Sequence, residues 1–472
     1  MRGDEVISAF APKKPAPWTP HAYQKAAVKF CVGQGAAGLF LDPGLGKTSI
    51  MLATYKVLRK MGMAKRMLII APLRPAQMTW PDEIRKWADF NGLSYRVLHG
   101  QEREMDDSDI HIINPEGLEW LFAPWHRLAK GKAPPWPWDM LVVDESTRFK
   151  HSNTKRFKLL VPHLHRFRRR YILTGSPAPN GLMDLFGQIQ LLDGGAALGQ
   201  YITHFRNSYF NPTGYGGYHW VIKEGAAELI YEKLKPLVMR LSAEDYLDLP
   251  PLIMNTVKVT LPPAARKAYT TMEDLLIAQL KDDTVVAANT VAATGKCRQI
   301  ANGGIYHEGG EEWTDIHEAK VEAVSEIVEE LGGKPVLIAY EFAHDLSRLQ
   351  RAFPGAPHIG GGVAASRFAA IQHGWNRGDI PVLLAQPQSV AHGLNLQGTA
   401  ATIIWHSLTW NLEDYEQFIR RVWRQGQKEK VIVHHIVAEN TIDEVVLDRI
   451  QSKDRTQKAL LTALKTYVKG KR

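Results

Sequence analysis

The run "FLDPGLGKTSI" at residues 40–50 sets Gly44, Leu45, Gly46, Lys47 and Thr48 directly before a helical stretch, "SIMLATYKVLRK". Glycines let backbone N–H groups converge on phosphate oxygens, a lysine reaches the β- and γ-phosphates, and a threonine hydroxyl suits Mg2+. A helix beginning there adds the partial positive charge of its N-terminus. The strict pattern G-x-x-x-x-G-K-[ST] is not met, because Leu41 occupies its first position. These residues alone allow two readings, a nucleotide cradle and a glycine-turned helix start.

A second constellation bears on that choice. "MLVVDEST" (140–147) is an apolar strand ending in two acids. Asp144 can hold Mg2+ through water, and Glu145 can orient and deprotonate an attacking water. Such a pair can also cap a following helix; after a phosphate loop it reads as the other half of an ATP-hydrolysing site. A third, "QFIRRVWRQGQ", spaces Gln417, Arg421 and Arg424 at i, i+4 and i+7, which predicts one helix face. A basic helix laced with surface ion pairs is the alternative there.

Strands must end beside these groups. "RMLIIAPL" (66–73), "DIHIIN" (109–114), "DMLVVDES" (139–146) and "RYILTGS" (170–176) are short apolar runs of the kind buried in parallel sheets. Open α/β sheets place ligands at the carboxyl ends of such strands. "HWVIKEGAAELIYEKLKPLVMRL" (219–241) reads as largely helical, and "DYLDLPPLIMNT" (245–256) as a proline-marked boundary. The α/β rhythm restarts with the helix "EAKVEAVSEIVEELGG" and strands at 334–340, 380–386, 401–407 and 430–437. A mostly helical region from about 185 to 320 is predicted between them. "KAPPWPWD" (132–139) is a loop whose tryptophans are expected to pack.

The 472 residues suit several domains, and two cysteines exclude a disulfide scaffold or a cysteine-rich zinc cluster. No run is long enough for a membrane helix and the first twenty residues lack a signal-peptide core, so a cytoplasmic location is expected. The net charge is +9; nine Lys or Arg and no acid fall between Arg148 and Arg170, and seven basic residues against one acid between Lys453 and Arg472. Single-sign stretches of this kind suit phosphate backbones. No acidic cluster remains outside the nucleotide motifs to serve a nuclease.

The motifs together resemble those of a superfamily-two, Swi/Snf-type ATPase, in the form of a minimal bacterial or phage-type member. "TPHAYQKAAVKF" (19–30) is similar to that family's adenine-reading segment, which implies that Gln24 meets the base. "LIIAPLRPAQMTWPDEIRKW" (68–87) resembles its first DNA-contacting motif, and "DESTRFKHSNTKRFKLL" (144–160) its DEAH-type box. "YILTGSPAPNGLMDLF" (171–186) resembles the Leu-Thr-Gly-Thr-Pro motif that couples ATP state to DNA; "GLNLQGTAATIIWHSLTWN" (393–411) and "EQFIRRVWRQGQKEKV" (416–431) resemble the paired motifs that complete the site. Thr147 stands where the family usually has a histidine, and Ser176 where it has threonine.

The resemblance implies an α/β chain of two RecA-like parallel-sheet lobes in tandem, with a helical insertion region between them. Lobe one is expected over 1–245, linker and insertion over 246–320, and lobe two over 321–472. It implies a DNA-stimulated ATPase that moves along duplex DNA, with ATP and Mg2+ as cofactors; a strand-separating DNA or RNA helicase is the alternative. The absence of iron–sulfur cysteines and of an evident β-hairpin pin favours translocation. Implied catalytic groups are Lys47, Glu145, Gln417, Arg421 and Arg424. Gln24, Gly44, Leu45, Gly46, Lys47 and Thr48 would bind nucleotide, and Thr48 with Asp144 the metal.

Overall fold

The computed structural model describes residues 15–453 apart from 101–103, 127–133, 214–218, 282–286, 308–309, 311, 362, 364, 391–395 and 397–399. The basic stretch 454–472 and residues 393–395 and 397–399 of the "GLNLQGTAAT" motif therefore lie outside the described residues. The chain forms two units, the first ending at Tyr246 and the second opening at Leu247.

The first unit is built on β1 (Ala36–Leu41), β2 (Met67–Ile70), β3 (Tyr95–Val97), β4 (Ile110–Ile113), β5 (Met140–Asp144) and β6 (Arg169–Thr174), with a hairpin of β7 (Phe210–Thr213) and β8 (His219–Ile222), and β9 (Val238–Leu241). Seven strands form one sheet in the order β3-β4-β2-β5-β6-β1-β9. Every pairing in it is parallel. β2 and β4 are buried throughout, and β1 and β5 at all but one residue, as sheets covered on both faces require. Phe40 pairs with Thr174 and Asp144 with Leu173, so β1, β6 and β5 end at one level.

Residues 219–241 are not one helix. They run strand, helix (Ala226–Leu234), strand, and the last strand is β9, paired with β1. Gly225, at φ 71°, starts the helix late, and the buried "VMRL" beyond it is too short for periodicity to tell strand from helix.

The second unit holds β10 (Leu252–Val259), a hairpin of β11 (Gly304–Tyr306) and β12 (Trp313–Asp315), β13 (Val336–Ala339), β14 (His358–Ile359), β15 (Val382–Ala385), β16 (Thr402–Trp405) and β17 (Val431–Ala438). Its main sheet, in the order β10-β17-β16-β13-β15-β14, is again all parallel. The stretch 246–320 is thus more than linker and insertion. β10 pairs with β17 along eight residues, although mixed residues such as Asn255, Thr256 and Lys258 hide it from a search for apolar runs. The helices Pro263–Lys281 and Ala287–Asn302 are present as expected, but 185–320 also holds two hairpins besides β9 and β10.

The tryptophans of the 132–139 loop do pack. Trp136 and Trp138 meet edge to face at 5.3 Å and both ring against Trp125, which burial of three large apolar surfaces rewards.

Candidate ATP-hydrolysis site

β1 delivers the chain to residues 42–46, and the helix Lys47–Lys60 leaves from them. Gly44 and Gly46 have φ of 89° and 77°, the left-handed region that glycine enters without cost. A Cβ on Gly46 would also sit 2.5 Å from Gln24 Nε2, so a larger residue would be strained at this φ and would displace the Gln24 amide. Gln24 explains the crowding. Its Oε1 accepts from His21 N at 2.9 Å and its Nε2 donates to Leu45 O at 3.3 Å, so the side chain braces the loop. A base would have to compete with Leu45 for that amide.

The start of the loop is held from the far edge of the first unit's sequence. Asp42 is buried, its Oδ1 lies 2.7 Å from Arg240 Nη2, and its Oδ2 accepts from Ala243 N at 2.9 Å. Arg240 Nη1 also donates to the carbonyls of Phe40 (3.1 Å) and Leu241. Sequence reasoning missed this pair: nothing local marks an aspartate and an arginine 198 residues apart as partners.

Lys47 Nζ donates to Leu41 O at 2.8 Å. Burial pushes its ammonium below the ordinary lysine range, opposed by the charges of Glu145, Asp144 and Asp42 in that order. The loop lysine and the acids ending β5 therefore share one field, across the width of β6. Burial pushes the Asp144 carboxyl up, opposed by a hydrogen bond from Trp80 and by the Lys47 charge. Trp80 Nε1 donates to Asp144 Oδ2 at 2.9 Å, and Glu145 N to Asp144 Oδ1 at 3.1 Å.

Glu145 itself has φ 48° and ψ 59°. A non-glycine residue there costs on the order of 1–3 kcal/mol and persists only where its surroundings enforce it, most often at functional sites. Thr147 is buried, and Ser146 Oγ donates to Gln188 Oε1 at 2.7 Å. Ser176 follows β6, its N–H bonded to Thr174 Oγ1 at 3.1 Å. Half-buried Thr48 and the Asp144 carboxylate supply hard oxygen donors of the kind Mg2+ takes, one or two from protein and the rest from water and phosphate.

The arginine motif lies in the second unit and departs from the one-face expectation. The helix Leu412–Val422, capped by Asn411 Oδ1 accepting from Glu413 N, carries buried Gln417 and half-buried Arg421, whose Nε donates to Gln417 O at 3.2 Å. It ends before Arg424. Trp423 leaves helical geometry at ψ 87°, pinned by its Nε1 to Pro250 O at 2.8 Å, and Gly426 turns the chain at φ 96°. Arg424 therefore sits just beyond the helix, where burial lowers its guanidinium from the ordinary range.

The basic run 148–170 is not one open face. Lys150 lies 3.3 Å from Asp184, Lys155 2.6 Å from Glu119, and Arg148 4.0 Å from Glu116. Arg169 Nη1 donates to Val32 O and Gln34 O at 3.1 and 2.7 Å. Arg169 and Arg170 open β6, so they stand at the N-terminal ends of the strands, opposite the phosphate loop.

A parallel sheet with a glycine–lysine loop and, two strands away, an acid-ended strand, followed by a second parallel-sheet unit, defines a P-loop ATPase with tandem RecA-like lobes. A family model described as SNF2-related domain matches residues 23–304, and one described as helicase conserved C-terminal domain matches 319–426. The chain belongs to this SNF2 family of helicase-like, DNA-dependent, ATP-hydrolysing enzymes. It is 36% identical to putative protein p41 of Acyrthosiphon pisum secondary endosymbiont phage 1 over 468 residues, 95% of this chain and 99% of that one. It is 24% identical to the DNA annealing helicase and endonuclease ZRANB3 of Homo sapiens, over 95% of this chain and 41% of that protein. Identity to the DNA repair and recombination protein RAD54 of Oryza sativa subsp. japonica is also 24%, over 93% of this chain and 51% of the relative. The chain thus spans about half or less of those two relatives. The Sulfolobus solfataricus SWI2/SNF2 ATPase core in complex with dsDNA aligns over 96% of each chain, with 22% identity and a TM-score of 0.45. Among the described residues no helix is long and apolar enough to cross a membrane.

Proposed function

We propose that this protein is a duplex-DNA translocase, an ATPase whose turnover drives movement along double-stranded DNA without obligatory strand separation. The observation that carries the hydrolytic part is Glu145, held at a positive φ between Asp144 and buried Ser146, in the field of Lys47. In this reading Gly44, Leu45, Gly46 and Lys47 hold the triphosphate, and Gln24 turns from Leu45 to the adenine. Thr48 and Asp144 would hold Mg2+, which when bound offsets charge on the β- and γ-phosphates. Glu145 takes a proton from water as its oxygen bonds the γ-phosphorus; the bond to the β-phosphate oxygen breaks, and ADP leaves. Arg421 and Arg424 stabilise charge on the transferred phosphoryl group, with Gln417, whose carbonyl accepts from Arg421 Nε, assisting them.

DNA is favoured as the track by the +9 charge, which suits phosphate backbones, and by the relatives' names, which concern DNA repair, recombination and annealing. Contacts should be to phosphates, so binding should be salt-dependent and nearly indifferent to sequence. The β7–β8 hairpin, which the sequence did not announce, favours the second reading, a strand-separating helicase. Displacement of a triplex-forming strand against unwinding of a forked duplex separates the two: translocation gives the first without the second. Glu145→Gln tests the chemistry. It should bind ATP and hydrolyse none, whereas parental turnover would remove Glu145 from the role of base.

A further inference from the structure

Coupling of hydrolysis to DNA requires the segment after β5 and the turn after β6 to move together, and one side chain ties the two. Gln188 lies on the helix Leu185–Asp193, wholly buried, and every polar atom of its amide is engaged. Its Oε1 accepts from Ser146 Oγ at 2.7 Å, directly after Glu145. Its Nε2 donates to Pro177 O at 2.6 Å, in the turn that follows Gly175 and Ser176, and to Asp184 O at 2.8 Å. One residue earlier, Gly187 lets this helix touch the same acidic segment: a Cβ there would lie 2.2 Å from Phe149 O and 2.7 Å from Lys150 O. Asp184 adds a second tie, accepting from Lys150 Nζ at 3.3 Å and from Asn180 N at 2.9 Å.

We propose that Gln188 is a positioning residue that locks Ser146 to Pro177 and so holds Glu145 in its strained backbone conformation, transmitting displacement of the Gly175–Pro177 turn to the attacking-water position. Ser146 is the receiving end of that lock. The physical reason is the strain at Glu145: an L-residue at φ 48° relaxes toward negative φ unless its neighbours are fixed, and the Ser146 hydroxyl is fixed by a fully buried partner. The link contains no group that titrates near neutral pH. This matters beside Thr147, which can hydrogen-bond but cannot carry a proton at neutral pH. The proposal rests on Glu145 as base, and its test keeps the two apart.

The experiment is a double-mutant cycle on DNA-stimulated ATP turnover with Ser146→Ala, Gln188→Leu and the double variant, alongside Glu145→Gln. Each single variant should lower kcat on the order of 10–100-fold, the cost of a misplaced reacting group, with the KM for ATP within about twofold of the parent. The double variant should fall no further than the worse single one, since both remove the same lock. Additive losses, or thermal destabilisation with parental kcat, would overturn the proposal, whatever Glu145→Gln does. If Glu145→Gln turns over normally the base assignment fails instead. Should Gln188→Leu not fold, Ser146→Ala decides alone: a kcat loss at constant KM supports the lock, and parental kcat removes it.

Discussion

The indole nitrogen of Trp80 donates to Asp144 Oδ2 across 2.9 Å, from a side chain with no exposed surface. Trp80 begins the short helix Trp80–Lys86, within the segment that resembles a DNA-contacting motif, so that segment reaches the acid ending β5 directly. The bond favours the charged carboxylate against the burial that opposes it. Trp80→Phe keeps most of the ring and deletes the donor. The Asp144 pKa should then rise, and activity needing the carboxylate should be lost at higher pH than in the parent. A hydrogen bond to a charged group is worth about 1.5–3 kcal/mol, so the acid limb of the kcat/KM profile should move up by roughly 1–2 pH units. Superimposed limbs would show that the bond is only structural.

Arg240 and Asp42 are each about 7% exposed and 2.7 Å apart, at the root of the phosphate loop. Removing one partner of a buried pair strands the other charge. Arg240→Met should cost about 3–5 kcal/mol in denaturant unfolding of the first unit, and Asp42→Asn on top of it should recover part of that. An additive second loss would mean that the two side chains act separately.

The two halves of the basic run should behave differently toward DNA. Lys155 and Lys158 are exposed on the helix Lys155–Leu160, whereas Arg168 directly precedes β6, at the end of the strands away from the phosphate loop. Lys155→Glu with Lys158→Glu should weaken duplex binding and flatten the log–log salt slope by about 0.9 per lost contact. Arg168→Glu should leave both unchanged. Equal effects would make the whole run a phosphate-binding surface.

The strands that end in chemistry were legible because burial on both faces writes them as mostly apolar runs: β2, β4, β5, β13, β15 and β16 sit inside their expected segments, and β6 and β17 overrun theirs by one residue each. β9 and β10 were not, since β9 is four residues beside a helix and β10 is largely exposed, with exposed residues breaking any apolar pattern. In the site, Lys47, Asp144 and Glu145 could be read because each stands in a local motif. Asp42–Arg240, Trp80–Asp144 and Ser146–Gln188 could not. Each pairs residues 42 to 198 positions apart: strand pairing brings Asp42 to Arg240, and helices packed on the sheet bring Trp80 and Gln188 to their partners.

Arg424 and Arg421 are expected to act on the transition state rather than on bound ATP. Arg424→Ala should lower kcat by roughly 10³–10⁵ with a far smaller change in ATP affinity. Arg424→Lys should recover little, since a point charge lacks the planar fork. The variant lacking both arginines should be far from additive. Single-turnover hydrolysis with a parallel ATP-binding titration checks this, and normal DNA-stimulated turnover without both arginines would leave the first unit as a self-sufficient ATPase.

Steady-state ATP turnover measured side by side with no nucleic acid, duplex DNA, single-stranded DNA and RNA tests the translocase reading most directly. A track-driven ATPase should turn over slowly alone and most rapidly on duplex DNA, with the stimulation falling as salt rises. Greatest stimulation by single strands or RNA, or a rate indifferent to all three, would contradict it.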